Sequence, residues 1–166
     1  KDCPSDSFCC DLSLDAIALP KNENPPGSGG TTGTPGPGAS SLTQAEVEAK
    51  FKAANIGFSR GIQLTGLQEK TIDELARLKN VCRKEVSNCN VIVTSATGGN
   101  HASGEYSHAN GYKVDLKSQG EGGALTSYIT SHYTELSPRS NGDKAFISPS
   151  GAIYVLESDH WDVVVK

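Results

Sequence analysis

The chain has 166 residues, and its 15 Lys and Arg against 19 Asp and Glu give a formal charge of −4, which provides no basis for binding nucleic acid or an anionic membrane. No run of about 18 apolar residues occurs, so the sequence contains no candidate transmembrane segment. The 18 Gly and 8 Pro indicate a folded domain joined to an unstructured segment, and the absence of Met indicates a processed product or a part of a longer polypeptide.

Much of the Gly and Pro lies in residues 25–41, where every residue except Ala39 is Gly, Pro, Ser or Thr. Such a segment cannot bury enough surface to offset its ordering entropy, which predicts a disordered, flexible linker. The linker separates a short Cys-rich head, residues 1–24, from a body, residues 42–166, whose length suits one domain. The head is too short to fold alone, and it could join the domain to a larger polypeptide or a surface assembly.

Cysteine usage supports this division. Cys3, Cys9 and Cys10 lie in the head, whereas Cys82 and Cys89 lie in the body with a short loop between them. This spacing predicts a Cys82–Cys89 disulfide and an extracytoplasmic location, whether secreted, periplasmic or at the cell surface. Two free thiols are the alternative. Because the five cysteines are an odd number, at least one cysteine of the head is unpaired or bonded outside the chain.

Three helices are predicted in the body. Residues 42–54 have Thr43 as N-cap, Glu46 three residues later, and apolar residues recurring on one face. Residues 67–79 carry an apolar stripe and end in basic residues, and residues 124–136 form the third predicted helix. We expect these helices to be scaffold rather than site.

Short apolar runs predict strands between and after the helices. The predicted strands are residues 91–95, 112–116, 145–148, 153–156 and 161–165, with a polar, Gly-rich loop at 98–110, a turn at 149–151 and a break at 157–159. Helices first and hairpins last predict an α+β fold, in which N-terminal helices pack on a mainly antiparallel sheet in one small domain.

Two histidines have neighbours that suggest a metal site. His108 lies in the polar loop, Gly111 allows a turn, and Asp115 follows on the next predicted strand, so the turn can bring His108 and Asp115 together. Glu157 and His160 interrupt two apolar strands, where charged groups are costly unless they are used. The alternatives are a surface histidine and a polar hairpin tip. Taken together, His108, Asp115 and His160 predict an open three-ligand zinc site, and Glu157 is free to act as the base toward water.

In order and spacing, these residues resemble the zinc D-alanyl-D-alanine peptidases, a family of D-Ala-D-Ala dipeptidases and carboxypeptidases and of L-Ala-D-Glu endolysins that is structurally related to hedgehog signalling domains. The family has a His followed by Gly and Asp, three and seven residues later, and then a Glu followed three residues later by the last His ligand, often beside Trp. The matching residues are His108, Gly111, Asp115, Glu157, His160 and Trp161.

The resemblance covers residues 42–166. It implies Zn²⁺ as cofactor, held by His108, Asp115 and His160, and Glu157 as the catalytic residue that accepts a proton from water. It also implies an extracytoplasmic metallopeptidase whose substrate is a peptidoglycan stem peptide of the cell wall, cut as by a D-Ala-D-Ala carboxypeptidase or an L-Ala-D-Glu endopeptidase.

The sequence departs from the family at two places. Lys113 replaces a small residue, and the turn at residues 95–98 lacks the arginine that stabilises charge developing on the substrate. Because loss of such a donor costs on the order of 10²-fold or more in rate, we expect either that another cation, such as Arg60, Arg139 or Lys113, substitutes, or that turnover is slow. The alternative function is a non-catalytic zinc-binding module of a surface or pilus-like protein that retains the peptidase fold.

Other residues are predicted near the site. Asp162 follows His160 by two, so that both point to the same side of a strand and Asp162 can orient a ligand. His101 is expected in a mobile loop near the site, and His132 at the surface or in the core. The residues predicted to orient a ligand or contact the substrate are Asp162, Trp161, Ser95, Thr97 and Tyr106, with simple packing as the alternative for Trp161.

Overall fold

A computed structural model describes residues 36–99 and 104–166. The predicted head, His101 and most of the predicted linker lie outside these residues. The helices are α1 (Gln44–Ala53), α2 (Glu69–Glu85) and α3 (Gly123–His132), the last preceded by a short 3-10 helix at Gly120–Gly122. The strands are β1 (Gly57–Phe58), β2 (Ile92–Ser95), β3 (Lys113–Lys117), β4 (Thr134–Leu136), β5 (Lys144–Ile147), β6 (Ile153–Leu156) and β7 (His160–Val164).

The strands form one seven-stranded sheet in the order β1-β2-β3-β7-β6-β5-β4. Only β1 and β2 are parallel, and every other neighbouring pair is antiparallel. The predicted α+β fold with a mainly antiparallel sheet is therefore confirmed. Strands β3 and β7 are neighbours, which places Asp115 directly opposite Asp162, and Lys117 opposite His160.

The two faces of the sheet differ in chemistry. On one face, Leu116 pairs with Trp161 and Val114 with Val163, and all four side chains are buried in the core together with apolar residues of the three helices. Because successive residues of a strand point to opposite faces, Asp115 and Asp162 lie on the other face. The same strands thus supply the core on one side and a cluster of charged groups on the other.

Local signals explain the first helices. Helix α1 begins after Thr43, which forms a capping box: its hydroxyl accepts from the Glu46 amide at 3.4 Å, and the Glu46 carboxylate accepts from the Thr43 amide at 2.8 Å. Helix α2 runs further than predicted, to Glu85. The predicted disulfide joins Cys82 near its end to Cys89 just before β2, with the two Cα atoms 5.9 Å apart.

The third helix is shorter than predicted. It ends at His132, and Tyr133 takes an extended conformation with φ −95° and ψ 151°. The Tyr133 ring packs edge-on against Tyr154 at 5.2 Å between centroids. The following residues, Thr134–Leu136, therefore form β4, which pairs with β5 at the sheet edge. Burial of the Tyr133 ring outweighs the helical pattern of the preceding residues.

Contacts with the domain begin before residue 42. Within the segment predicted as linker, Ser40 Oγ donates to Leu67 O at 2.6 Å, and the Ser40 amide donates to Gly66 O at 3.0 Å. In the part of the chain that the structure describes, no helix is both long and apolar enough to cross a membrane.

Candidate metal centre

His108 is held at the charged face of the sheet by the loop that precedes β3. Its side chain is only 6% exposed, and Nδ1 lies 2.9 Å from the carbonyl oxygen of Ala96, just after β2. Because a carbonyl oxygen only accepts, Nδ1 carries a proton and donates to it. Nε2 is therefore the ring nitrogen through which His108 would bind a metal.

Two aspartates approach this nitrogen. His108 Nε2 lies 3.4 Å from Asp115 Oδ1 and 4.0 Å from Asp162 Oδ1. The three residues offer ligand atoms that all lie within 4.8 Å of one another, so they form a group that could hold a metal ion. Tetrahedral ligands at zinc bond lengths are separated by about 3.3 Å. The His108–Asp115 distance therefore already suits a shared metal, and Asp162 Oδ1 is slightly further away.

Asp162 is ionised, and among the described residues only one of its two carboxylate oxygens accepts hydrogen bonds. It is 6% exposed, and its Oδ2 accepts from Lys113 Nζ at 2.8 Å and from Arg139 at 2.7 Å. Burial alone would raise the pKa of this carboxyl, but the two cations outweigh it and lower the pKa below its usual range. Within the described residues, Asp162 Oδ1 has no hydrogen-bond partner. A buried carboxylate oxygen without a donor is costly, so this atom favours a cation beside it.

His160 also lies near Asp115, and Glu157 lies beside His160. His160 Nε2 lies 3.8 Å from Asp115 Oδ1 and 3.4 Å from Glu157 Oε2, while its Nδ1 lies 2.8 Å from Asp159 Oδ1. Partial burial would lower the pKa of His160, but the contact with Asp159 and the charges of Asp115 and Glu157 outweigh it and raise the pKa. His160 is outside the mutually close group of His108, Asp115 and Asp162, yet its ring faces the same Asp115 oxygen.

A cavity of about 490 Å³ opens over these groups. Its lining contains three carboxylates, Asp115, Glu157 and Asp162, and two permanent cations, Lys113 and Arg139. Arg139, from the β4–β5 loop, spans two of the carboxylates, donating to Glu157 Oε1 at 2.8 Å as well as to Asp162. These three carboxylates and two cations have a formal charge of −1 before the histidines are counted, and a bound cation would offset it.

The structure places some of the other predicted residues at this cavity. Tyr106 lines it, together with Ser107 and Gly104. Of the three candidate cations, Lys113 and Arg139 line the cavity and Arg60 does not. The sequence predicted Asp162 to orient a ligand, and the structure brings it among the candidate ligands themselves. The sequence indicated only that Asp162 and His160, two residues apart on a strand, point to the same face of the sheet. It did not indicate the distance from Asp162 to His108.

The remaining predicted residues lie elsewhere. Ser95 lines a second cavity of about 260 Å³, and Thr97 donates from its hydroxyl to Gln63 O at 3.1 Å. Trp161 is fully buried on the core face, where its indole N–H donates to Thr126 Oγ1 at 2.9 Å. Trp161 thus packs in the core, which agrees with the alternative considered for it, because its side chain points to the opposite face from those of His160 and Asp162.

His132, at the end of α3, has a structural place. Its Nε2 lies 2.6 Å from Glu85 Oε2 at the end of α2, and its ring stacks on Tyr128 at 4.4 Å. These contacts join the ends of two helices away from the cavity.

Comparison with protein-family models, curated proteins and solved structures gives no match for this chain. Fold and site together define an α+β domain with a mixed sheet and a buried His108, Asp115 and Asp162 group that could hold a metal ion.

Proposed function

We propose that the protein is a zinc-dependent peptidase that hydrolyses peptidoglycan stem peptides outside the cytoplasm, at a D-Ala-D-Ala or an L-Ala-D-Glu bond. One observation carries the proposal: a single oxygen, Asp115 Oδ1, lies 3.4 Å from His108 Nε2 and 3.8 Å from His160 Nε2. The disulfide supports an oxidising, extracytoplasmic setting. The substrate class comes from the resemblance of the two sequence motifs to zinc D-alanyl-D-alanine peptidases.

The residues around the cavity fit zinc. His108, Asp115 and His160 would hold the ion with two imidazoles and one carboxylate, a set typical of catalytic zinc. Ala96 O and the Asp159 carboxylate hold the outer nitrogens of the two rings at 2.9 and 2.8 Å, which keeps both Nε2 atoms toward Asp115. When bound there, zinc would supply a Lewis acid for the peptide carbonyl and lower the pKa of a water molecule.

Glu157 is the general base in this proposal. Its Oε2 lies beside His160, and its Oε1 accepts from Arg139, which holds the carboxylate at the edge of the cavity. From there it accepts a proton from the attacking water and then returns a proton to the leaving amine.

Arg139 and Lys113 are suited to the role of the missing family arginine. Both line the cavity and both contact Asp162 Oδ2, so their charges are held in place by a buried carboxylate. A fixed cation stabilises the negative charge that develops on the carbonyl oxygen in the transition state. We assign this role to Arg139 first, because its guanidinium also contacts Glu157.

A non-catalytic metal centre is the second candidate, and Asp162 is the observation that favours it. Its Oδ1, which has no hydrogen-bond partner among the residues that the structure describes, belongs to the mutually close group of candidate ligands. If Asp162 joined His108, Asp115 and His160 as a fourth ligand, the protein would occupy every tetrahedral position, as in structural zinc sites. No position would then be left for water.

Metal analysis combined with digestion of purified peptidoglycan tests both functions. Under the peptidase proposal, the wild-type chain contains about one zinc ion, as expected of a single catalytic site, and mass spectrometry detects cleaved stem peptides. His160→Ala loses the metal. Glu157→Gln keeps the metal and loses roughly 10²–10⁴-fold in rate, because only the general base is removed. Glu135→Gln, at an exposed carboxylate on β4, serves as control and keeps wild-type metal and activity.

The second candidate predicts a different pattern. Wild type would bind zinc without cleaving any stem peptide, and Asp162→Asn would weaken zinc binding as strongly as His160→Ala. A wild-type chain that binds no zinc would contradict both functions.

A further inference from the structure

We propose that Asn110 is a positioning residue for the metal centre. Its side chain ties the loop that carries His108 to residues 36–38, and in this way it sets the place of the imidazole. The inference rests on the metal centre of the proposed function, but it concerns the affinity of the site for metal rather than the reaction.

The Asn110 side chain uses both ends of its amide. Oδ1 accepts from the Gly38 amide at 3.2 Å, while Nδ2 donates to Gly104 O at 3.0 Å and to Glu105 O at 3.1 Å. One side chain therefore joins a segment far away in sequence to the loop residues that precede His108. Gly104 also lines the metal cavity.

Hydrogen bonds donated by the backbone amides of residues 110–112 connect Asn110 to His108. The Asn110 amide donates to Ser107 Oγ at 3.3 Å, and the Gly111 amide donates to His108 O at 2.8 Å. The Tyr112 amide, at the entrance to β3, donates to Ser107 O at 3.2 Å. Residues 107–112 are thus a closed turn, so a displacement of Asn110 moves His108 as well.

Residues 36–38 also form hydrogen bonds with the backbone of the His108 loop and with the side chain of Gln68. The Gly36 amide donates to Ala109 O at 2.8 Å. The side chain of Gln68, which precedes α2, donates to Gly38 O at 2.8 Å and to Asn110 O at 2.9 Å. The end of the predicted linker is therefore fixed between α2 and the His108 loop, where it can brace the loop.

Such bracing matters because metal ligands on loops need support. A metal site requires its ligands to stay within about 0.5 Å of the productive geometry, and His108 stands on a loop rather than on a strand. Loss of groups that orient a ligand typically weakens metal binding by about 10–100-fold. We therefore expect Asn110→Ala to raise the zinc Kd by about 10–100-fold.

The control is Gln44→Ala, which removes a comparable amide on α1. Gln44 accepts from the Leu64 amide at 2.7 Å and donates to Ile62 O at 3.2 Å and Glu48 Oε1 at 2.7 Å. It also joins distant segments by three hydrogen bonds, but it does not contact the His108 loop. A purely structural effect would act equally on both variants.

The experiment measures the zinc Kd of the full chain by competition with a chromophoric chelator, the Co²⁺ absorption spectrum, and thermal unfolding without metal. The proposal expects a higher Kd and an altered Co²⁺ spectrum for Asn110→Ala, with a wild-type Kd for Gln44→Ala. A second variant, Asn110→Asp, keeps the acceptor for Gly38 and loses both donors to the loop. It covers the case in which the alanine variant does not fold, and it should raise the Kd as well.

Two results would overturn the inference alone: Asn110 variants that bind zinc within about twofold of wild type, well short of the expected loss, or a Gln44→Ala Kd raised as much as theirs. A wild-type chain that binds no zinc would instead overturn the proposed function and this inference with it.

Discussion

Gly111 allows the sharpest test of how the candidate site is built. It has φ +77°, and a Cβ at this position would overlap the Gly66 carbonyl oxygen and lie 2.8 Å from Leu67 Cα. The Gly111 carbonyl also accepts from Thr71 Oγ1 at 2.9 Å. The turn that carries His108 is thus pressed against the backbone that leads into α2, and Gly111→Ala should force the two apart.

The expected magnitude follows from comparison with Gly61. Gly61 has φ +80°, but a Cβ there would meet nothing within 4 Å. Left-handed backbone costs an alanine about 1–2 kcal/mol, partly offset by lower entropy of the unfolded chain, so Gly61→Ala should lower the free energy of unfolding by about 0.5–1.5 kcal/mol. Overpacking adds about 1–3 kcal/mol, which gives a total loss of about 1.5–4.5 kcal/mol for Gly111→Ala.

Urea unfolding measures both variants, with fluorescence of the single tryptophan, Trp161, as the probe. Zinc affinity is measured in parallel, and it should fall for Gly111→Ala only, because only this substitution displaces the His108 turn. If the two variants lost equal stability, or if Gly111→Ala bound zinc like wild type, the close contact with Gly66 would have no part in shaping the site.

Three further predictions concern the scaffold. Burial would raise the pKa of Glu74, but hydrogen bonds from three side chains outweigh it and lower the pKa. Urea unfolding should therefore show that Glu74→Gln has its full stability difference from wild type at neutral pH, and that this difference shrinks as the pH falls below about 4.3. A difference that does not change with pH would refute this. Replacing Cys82 and Cys89 by Ala opens a loop with a sequence separation of 7 and should cost about 2.5 kcal/mol in urea unfolding. A reducing agent should lower the free energy of unfolding of the wild-type chain but not that of the double variant. Trp161→Phe loses the hydrogen bond to Thr126 and should lower the melting temperature followed by circular dichroism, yet leave the zinc Kd unchanged because the ring lies on the core face.

The sequence predicted most of the fold because most elements have a local signal. The capping box at Thr43 and Glu46 places the start of α1, and a short apolar run places β6 at its observed bounds, Ile153–Leu156. The missed elements have signals that are weak or contradicted. Strand β1 has only 2 residues, too few to show a period, and exists by pairing with β2. Strand β4 lies in a segment whose sequence pattern predicts a helix, and it forms because the Tyr133 ring is buried against Tyr154.

The predicted ligand set and the group seen in the structure share His108 and Asp115, but the structure has Asp162 in that group where the sequence predicted His160. Motif spacing brought out His108, Asp115, Glu157 and His160, and the structure gathers all four at one cavity. Sequence spacing contains no information about register, however. The pairing of Asp115 with Asp162 depends on how β3 and β7 align, and a shift by one residue would turn each side chain to the opposite face.

The register of β3 and β7 also explains how this sheet tolerates so many charges at its centre. Leu116 and Trp161 pair on the core face, and the neighbouring pair, Asp115 and Asp162, points to the opposite face. Arg139 and Lys113 satisfy one oxygen of Asp162, and the other oxygen faces His108 without a donor among the described residues. The apolar core fixes the register, and the register in turn holds a carboxylate pair beside an imidazole. The free energy of burying the apolar face therefore maintains, on the opposite face, an arrangement of charges that a bound cation would stabilise.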